Sequence, residues 1–318
     1  MGLMKILILD GYTLFQDDLS RALFSDLGEV IFRDRTSKDE LFTLNQDVEV
    51  IITNKYILGK EELDYFIRLK LVMVSATGYN CVDIKACKEK GIQVSNVPSY
   101  GTYSVAQHAM AMLLHFTNHV DVHEHSVRSG YWSTNQDWCY TLTPIKELHG
   151  KTLGIIGMGN IGSCFATMAE SMGMIIHYHH THDLNRLNRH FMDLQRLAET
   201  SDVISLHCPL TDQTDKIINS ILLSHMKSDA ILINTSRGGL IDNLALRDAL
   251  IDNRIAAALL DVLEKEPPSV DHPLIGLSNA IITPHIAWIS KEARERICSR
   301  MLLILESFIQ GKPLHAVN

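Results

Sequence analysis

The sequence predicts an α/β protein of two doubly wound parallel-sheet domains, the first of them discontinuous. Three observations carry this. Short β-branched or leucine-rich runs alternate with helical stretches before residue 100, the same alternation resumes after residue 150, and the chain closes on a helical segment with no strand beyond it. Alternation at this spacing implies parallel strands covered by helices on both faces. A final helix with no strand of its own to cover is expected to return to the first unit. The expected division is therefore 1–101 with 289–318, against 102–288.

Taken in order, Lys5–Leu9, Val48–Thr53, Leu71–Ser75 and Ile92–Asn96 are the apolar runs expected as strands of the first unit. Between them, Asp17–Leu27, Lys38–Leu44, Glu61–Ile67 and Asp83–Glu89 carry apolar residues at helical spacing. Thr102–Val120 then reads as one bridging helix. Asp121–Gly150 follows with little periodicity and an unusual content of His123, His125, Tyr131, Trp132, Trp138 and Tyr140. Long irregular segments in compact enzymes are usually functional or interfacial, and Trp and Tyr are enriched at interfaces. Residues 121–150 are thus expected to form a dimerisation arm, with a homodimer as the working unit.

The second unit opens on the most informative stretch of the chain, Thr152-Leu-Gly-Ile-Ile-Gly-Met-Gly-Asn-Ile-Gly162. Here a buried strand, Leu153–Ile156, runs into G-x-G-x-x-G and then a helix over Ile161–Met172. In such a Rossmann-like unit Gly157 permits the tight turn, Gly159 lets backbone approach a pyrophosphate, and Gly162 lets helix and strand pack closely. The anion sits on unpaired N–H groups at the helix start, so Asn160 and Ile161 join the glycines as expected nucleotide contacts. Further strands are expected at Ile175–His179, Val203–His207, Ala230–Asn234, Ala256–Leu260 and Ala280–Thr283, before the last helix, Lys291–Ile309.

Composition narrows the partners. A formal net charge of −8 with no Lys or Arg block argues against nucleic acid and anionic membranes, and the apolar runs are too short to span a bilayer. Met1-Gly-Leu-Met-Lys-Ile leads straight into a strand, which leaves no room for a signal peptide, and Ile6 spoils a myristoylation motif. The six cysteines are scattered without C-x-x-C, as expected of free thiols in the reducing cytoplasm.

Three further motifs end strands. Ile231-Leu-Ile-Asn-Thr-Ser-Arg-Gly-Gly239 delivers Arg237, Leu259-Leu-Asp-Val-Leu-Glu-Lys-Glu-Pro267 delivers Asp261 and Glu266, and Ile281-Ile-Thr-Pro-His-Ile-Ala-Trp288 delivers His285. Ligands in open parallel sheets bind outside the carboxyl ends of the strands. Arg offers a planar fork for a carboxylate, His a proton near neutral pH, and Glu a partner that orients the His. Glu264 and Glu62 are competing carboxylates, and Pro267 favours Glu266 by fixing the turn there.

In this order the motifs resemble the D-isomer-specific 2-hydroxyacid dehydrogenases, over essentially the whole chain. The resemblance implies an NAD-dependent oxidoreductase acting on a small D-2-hydroxy acid or 2-keto acid, with Arg237, Glu266 and His285 catalytic. It implies that Thr77 and Gly78, in Ala76-Thr-Gly-Tyr-Asn80, hold the substrate carboxylate, and that Val105, at the start of the bridging helix in Ser104-Val-Ala-Gln-His108, lies against the nicotinamide. Cys208, Pro209 and Thr214 resemble the loop beside the adenosine. Thr235, Ser236, Arg237 and His285 are implied on the cofactor side, and Asp261 matches the residue that bonds the carboxamide. Gly130-Tyr-Trp-Ser133, Trp138-Cys-Tyr140 and Trp288 are similar to the glycerate dehydrogenase/hydroxypyruvate reductase branch, which implies glycerate/hydroxypyruvate or glyoxylate as substrate, Trp138 and Trp288 at the pocket, and a dimer. With Asn318 only 33 residues after His285, no added regulatory domain is expected.

One position departs from the pattern. The strand after the glycine helix reads Ile175-Ile-His-Tyr-His-His-Thr-His-Asp183, with His180 where an acidic residue usually binds the ribose of NAD. Losing that carboxylate removes repulsion against a 2′-phosphate, and Arg186 and Arg189 follow; the usual Ser-Arg pair is absent, and Asp183 is the nearest carboxylate left for the ribose. NAD is the expected cofactor with NADP open. The histidines alternate off one face, so no metal site is expected. The competing class is a non-catalytic, NAD-sensing corepressor-like scaffold, which is expected to carry long disordered tails that this chain lacks.

Overall fold

The structure, a computed structural model, describes residues 4–318. The leader-free start read at residues 1–3 lies outside them. Two compact units are formed, one taking the chain up to Tyr100 and resuming at Ile289–Asn318, the other running over Gly101–Trp288.

The first unit holds a five-stranded parallel sheet in the order β2-β1-β3-β4-β5, from β1 (Met4–Ile8), β2 (Gly28–Phe32), β3 (Val50–Thr53), β4 (Leu71–Val74) and β5 (Gln93–Asn96). β3 and β4 are buried along their whole length, which is why they read as unbroken apolar runs. The C-terminal tail is sewn to the sheet edge, where Val317 N–H donates to Val94 O and Asn318 Oδ1 accepts from Val94 N–H. The terminal helix, Lys291–Ile309, belongs to this unit.

Asp17–Leu27 is not the helix expected from its spacing but a run of turns, with Asp17 at φ 61°. A tertiary tie overrides local propensity. The buried Arg294 of the terminal helix grips both oxygens of Asp18 at 2.6 Å and donates to Leu14 O at 2.8 Å. That hydrogen-bonded guanidinium holds the Asp18 carboxyl below its usual range. The strand that follows, β2, has only one buried residue and no expectation preceded it.

The second unit holds seven parallel strands, β6 (Thr152–Ile156), β7 (Ile175–His179), β8 (Arg189–Phe191), β9 (Val203–Leu206), β10 (Ile231–Asn234), β11 (Ala257–Leu260) and β12 (Ala280–Ile282), in the order β12-β11-β10-β9-β6-β7-β8. Successive residues of one strand feed opposite cores: Ile231 and Ile233 pack with Phe165 and Ala109, while Leu232 packs with Leu222 and Leu246. Helices Thr102–Asn118 and Asn160–Ser171 share the first of these cores through Ala106, Leu113, Ala166 and Ala169. The short polar edge strand β8 was not anticipated.

The stretch 121–150 is more regular than its sequence indicates. A second helix, Val120–Arg128, begins directly after His119 (φ 47°) ends the first, and a short turn of helix spans Tyr131–Thr134. The rest folds back on that helix. Tyr140 OH lies 2.6 Å from Ser126 Oγ, Leu142 N–H donates to His123 Nε2, and Trp132 Nε1 donates to Trp138 O. No helix among the described residues is long and apolar enough to cross a membrane.

Candidate active site

All seven strands of the second unit run parallel, so their carboxyl ends form one edge. From one side it presents His285 after β12, Glu266 after β11, Arg237 after β10, Cys208 after β9, the glycine loop after β6 and His180 after β7. The chain order reverses between β9 and β6, the switch point where such sheets bind ligands.

The glycine loop is built for a close-approaching anion. Gly157 has φ 98°, and a Cβ there would stand 2.5 Å from Cys208 N, so its neighbours alone exclude a side chain. A Cβ on Gly162 would meet Gly157 O at 2.3 Å. Gly159 is different: its φ of −77° suits any residue, and a Cβ would meet nothing within 4 Å. The open space over Gly159, at the start of helix Asn160–Ser171, fits a diphosphate better than any packing need of the protein. Nearby, Thr235 Oγ1 is buried without a hydrogen-bond partner, as a site that takes a polar ligand leaves it. These residues fit a dinucleotide.

Beside the loop, burial pushes the Cys208 thiol up to about 11, so it is a neutral wall rather than a nucleophile. Thr214 Oγ1 donates to Pro209 O at 2.7 Å and stiffens the loop after β9. Val105 is buried in the first turn of its helix, whose Ser104 Oγ donates to Ala287 O at 2.6 Å.

His285 Nδ1 lies 2.6 Å from Glu266 Oε2, both half-buried. With Nδ1–H given to the carboxylate, Nε2 is left to exchange a proton with a substrate. Glu266 is anchored in turn, its Oε1 accepting from Leu263 N–H at 3.0 Å. Glu264 Oε2 instead accepts from Asn243 and Glu62 Oε2 from Gly59 N–H, so neither competing carboxylate is the partner of His285.

His285 sits at φ 55°, a left-handed conformation that needs support. Asp261, 1% exposed, supplies it. Its Oδ1 accepts from Thr283 Oγ1 (2.6 Å) and Ile286 N–H (2.9 Å), and Oδ2 from Ala287 N–H (2.8 Å). Thr283 Oγ1, having donated, accepts from His108 Nε2 at 3.1 Å. The partners of Asp261 are thus the loop that presents His285. Asp261→Asn, which puts a donor among donors, is expected to lower stability by about 1–3 kcal/mol and to reduce kcat by less than loss of His285 itself. Thermal unfolding and steady-state kinetics check both.

Arg237 is exposed, and among the described residues no carboxylate pairs with it; its Nη1 donates only to the adjacent Ser236 O. Its backbone is clamped by the fully buried Asn234, whose Nδ2 donates to Arg237 O and whose Oδ1 accepts from Ser236 N–H. Ser236 Oγ donates to Leu206 O. A Cβ on Gly238 would fall 1.9 Å from Leu263 C, so the Arg237 loop lies directly against the backbone leading to Glu266. Asn234 was missed as a site residue, although its amide stands one turn ahead of Arg237 in the motif.

In the first unit, Thr77 follows β4, and its loop is bolted by Asn96 Nδ2 to Thr77 O (2.7 Å) and by Thr77 Oγ1 to Val97 O (3.1 Å). Asn96 likewise escaped the sequence reading. Trp288 is partly buried, whereas Trp138 is 87% exposed and contributes nothing to the constellation within its own chain.

At the end of β7 one oxygen of Asp183 is already engaged: its Oδ1 accepts from the buried Tyr178 OH at 2.5 Å and from Asn185 N–H at 2.8 Å. Arg189 is spent on Glu170, bidentate at 2.8 Å, and on Thr167. His177 and His179 are bonded to Thr200 and Met192 O respectively.

Comparison with known proteins identifies the family. The family described as "D-isomer specific 2-hydroxyacid dehydrogenase, NAD binding domain" matches residues 110–287. A hydroxypyruvate reductase of Blautia hydrogenotrophica is 42% identical over 321 residues, covering 99% of this chain and all of the relative. A glycerate dehydrogenase of Methylorubrum extorquens is 38% identical over 282 residues, 88% of each chain. Among solved structures, an acyclic imino acid reductase in complex with NADPH and D-arginine superposes with a TM-score of 0.84 at 32% identity, covering 99% of this chain and 100% of that one.

Proposed function

The chain belongs to the D-isomer-specific 2-hydroxyacid dehydrogenase family, and from that premise we propose that it reduces hydroxypyruvate, with glyoxylate as the nearest alternative. It is an NAD(P)-dependent oxidoreductase of small 2-hydroxy and 2-keto acids, which sets aside the scaffold reading. The 2.6 Å His285–Glu266 pair, beside an Arg237 without a carboxylate partner, carries the mechanism.

A bound nicotinamide dinucleotide supplies the hydride that reduces the carbonyl carbon. Gly157, Gly159, Asn160, Ile161 and Gly162 would hold its diphosphate, with Val105, Cys208, Pro209, Thr214, Thr235 and Ser236 along its length. Arg237 grips the substrate carboxylate with its planar fork and polarises the keto oxygen. His285 Nε2 gives that oxygen its proton, and Glu266 keeps the ring turned for the transfer. Trp288 is a further substrate contact in this reading. A steady-state panel of hydroxypyruvate, glyoxylate, pyruvate and larger keto acids with NADH and NADPH tests it. A kcat/KM for hydroxypyruvate below that for larger keto acids would reject the substrate assignment.

The working unit in this reading is a homodimer in the reducing cytoplasm. Trp138 is 87% exposed, Ile145, on the same arm, is 55% exposed, and Val120, just before it, is 68% exposed. These are exposed apolar side chains of the kind that pairing would bury. All six cysteines are free. Trp138→Ala is expected to change keto-acid preference more than cofactor affinity and to weaken association, because a buried interfacial Trp is a frequent hot spot. Sedimentation of a fully active wild-type monomer overturns the dimer; an unchanged substrate profile in the variant overturns the pocket role.

A further inference from the structure

We propose that His180 and His182 read the adenosine 2′ position through their protonation, accepting a 2′-phosphate when charged and a 2′-hydroxyl when neutral, so that pH sets the balance between NADP(H) and NAD(H). This rests on the reading that the glycine loop holds a dinucleotide.

Position comes first. The β6–β7 ladder ends at the pair Ile156 and His179, and one residue on, Gly157 N–H donates to His179 O at 2.9 Å. His180 is therefore the first residue past the ladder, directly beside the glycine loop, where a doubly wound sheet meets the ribose of a nucleotide.

Two of the permanent charges that follow this position are already hydrogen-bonded. Asp183 is held by Tyr178 OH and Asn185 N–H, and Arg189 is locked onto Glu170. Arg186 is exposed in the following loop. The glycine loop, residues 157–162, contains no titratable side chain. What faces His180 is two further imidazoles, His179 and His182. His179 is held by Met192 O and stacked on Phe191, whereas the exposed His182 has its ring centroid 5.4 Å from that of His180, with Nδ1 against Thr181 Oγ1. Asp183 lies within electrostatic reach of His182.

Two rings this close repel when both are charged, and an anion placed against both removes the repulsion. Partial burial, then His182, then His179 hold His180 below its ordinary value. In the free protein this favours the neutral form of His180, and a 2′-hydroxyl there meets a neutral imidazole. A 2′-phosphate, dianionic above its second pKa near ~6, raises the affinity of the imidazoles for protons. Binding then takes up a proton, and affinity rises as pH falls, by linkage up to roughly tenfold per pH unit for one proton.

Calorimetric titration of the wild-type protein with NAD⁺ and NADP⁺ from pH 6.5 to 8.5, in two buffers of different ionisation enthalpy, tests this without turnover. The expected result is proton uptake and pH-dependent affinity for NADP⁺, with flat affinity and no uptake for NAD⁺. His180→Gln should abolish the uptake and the pH slope while still binding NAD⁺, which also shows that the variant is folded. If NAD⁺ binds but NADP⁺ does not, or the ratio of affinities is independent of pH, the histidine reading falls and the nucleotide site stands. A slope retained in His180→Gln assigns it to a group other than His180 and overturns the proposal. If neither dinucleotide binds, both readings fall together.

Discussion

His285→Gln is expected to turn over keto acid about a hundred- to ten-thousandfold more slowly than wild type while binding its dinucleotide normally. The argument is local. His285 is the group whose outer nitrogen is left for chemistry once Glu266 has taken Nδ1–H at 2.6 Å, and glutamine can occupy that volume without carrying a proton across. Its backbone conformation, φ 55°, raises a second possibility: the variant could fail because the loop relaxes. His285→Asn separates the two, since asparagine accepts left-handed backbone readily. If loss of the proton carrier is the cause, both variants lose kcat to a similar degree, with calorimetric cofactor affinity unchanged. Near wild-type kcat in either variant would remove His285 from the chemistry.

Arg237→Lys is expected to lower kcat/KM about ten- to a thousandfold, mostly through KM for the keto acid but with a measurable fall in kcat. Lysine keeps the charge and loses the fork, so one of two parallel charge-assisted hydrogen bonds goes, together with the polarisation of the keto oxygen that only the transition state uses fully. Stability should not move, because the guanidinium is exposed and bonds only to its neighbour's carbonyl. Unchanged unfolding temperature with impaired kinetics is the expected pair of readings. Kinetics close to wild type would mean that Arg237 does not meet the carboxylate.

Much of this arrangement was legible because burial on both faces of a parallel sheet leaves so plain a trace. Ile231–Asn234 and Leu71–Val74 are apolar without interruption, and the polar residues that end such runs mark the binding edge. Arg237, Glu266 and His285 were singled out that way, and the structure pairs the last two. Side-chain commitments were not legible. Nothing in the sequence says that Asp183 is already held by Tyr178, or that Asn234 clamps the loop of Arg237 from both sides. The helix expected at Asp17–Leu27 failed for a related reason, since the residue that remodels it, Arg294, is remote in sequence. Edge strands β2 and β8, largely unburied, lack the apolar signature of the central ones.

That remote arginine also bears on how the protein is made. Asp18 leaves the ribosome early, and its buried partner is synthesised 276 residues later. The unit made of Gly101–Trp288 is contiguous and can collapse as soon as its last strand emerges, whereas the unit begun first must wait, incomplete, for the helix that carries Arg294. Order of synthesis and order of completion are reversed in this chain. During translation, the apolar strands of its opening hundred residues are the surface that chaperones have longest to meet.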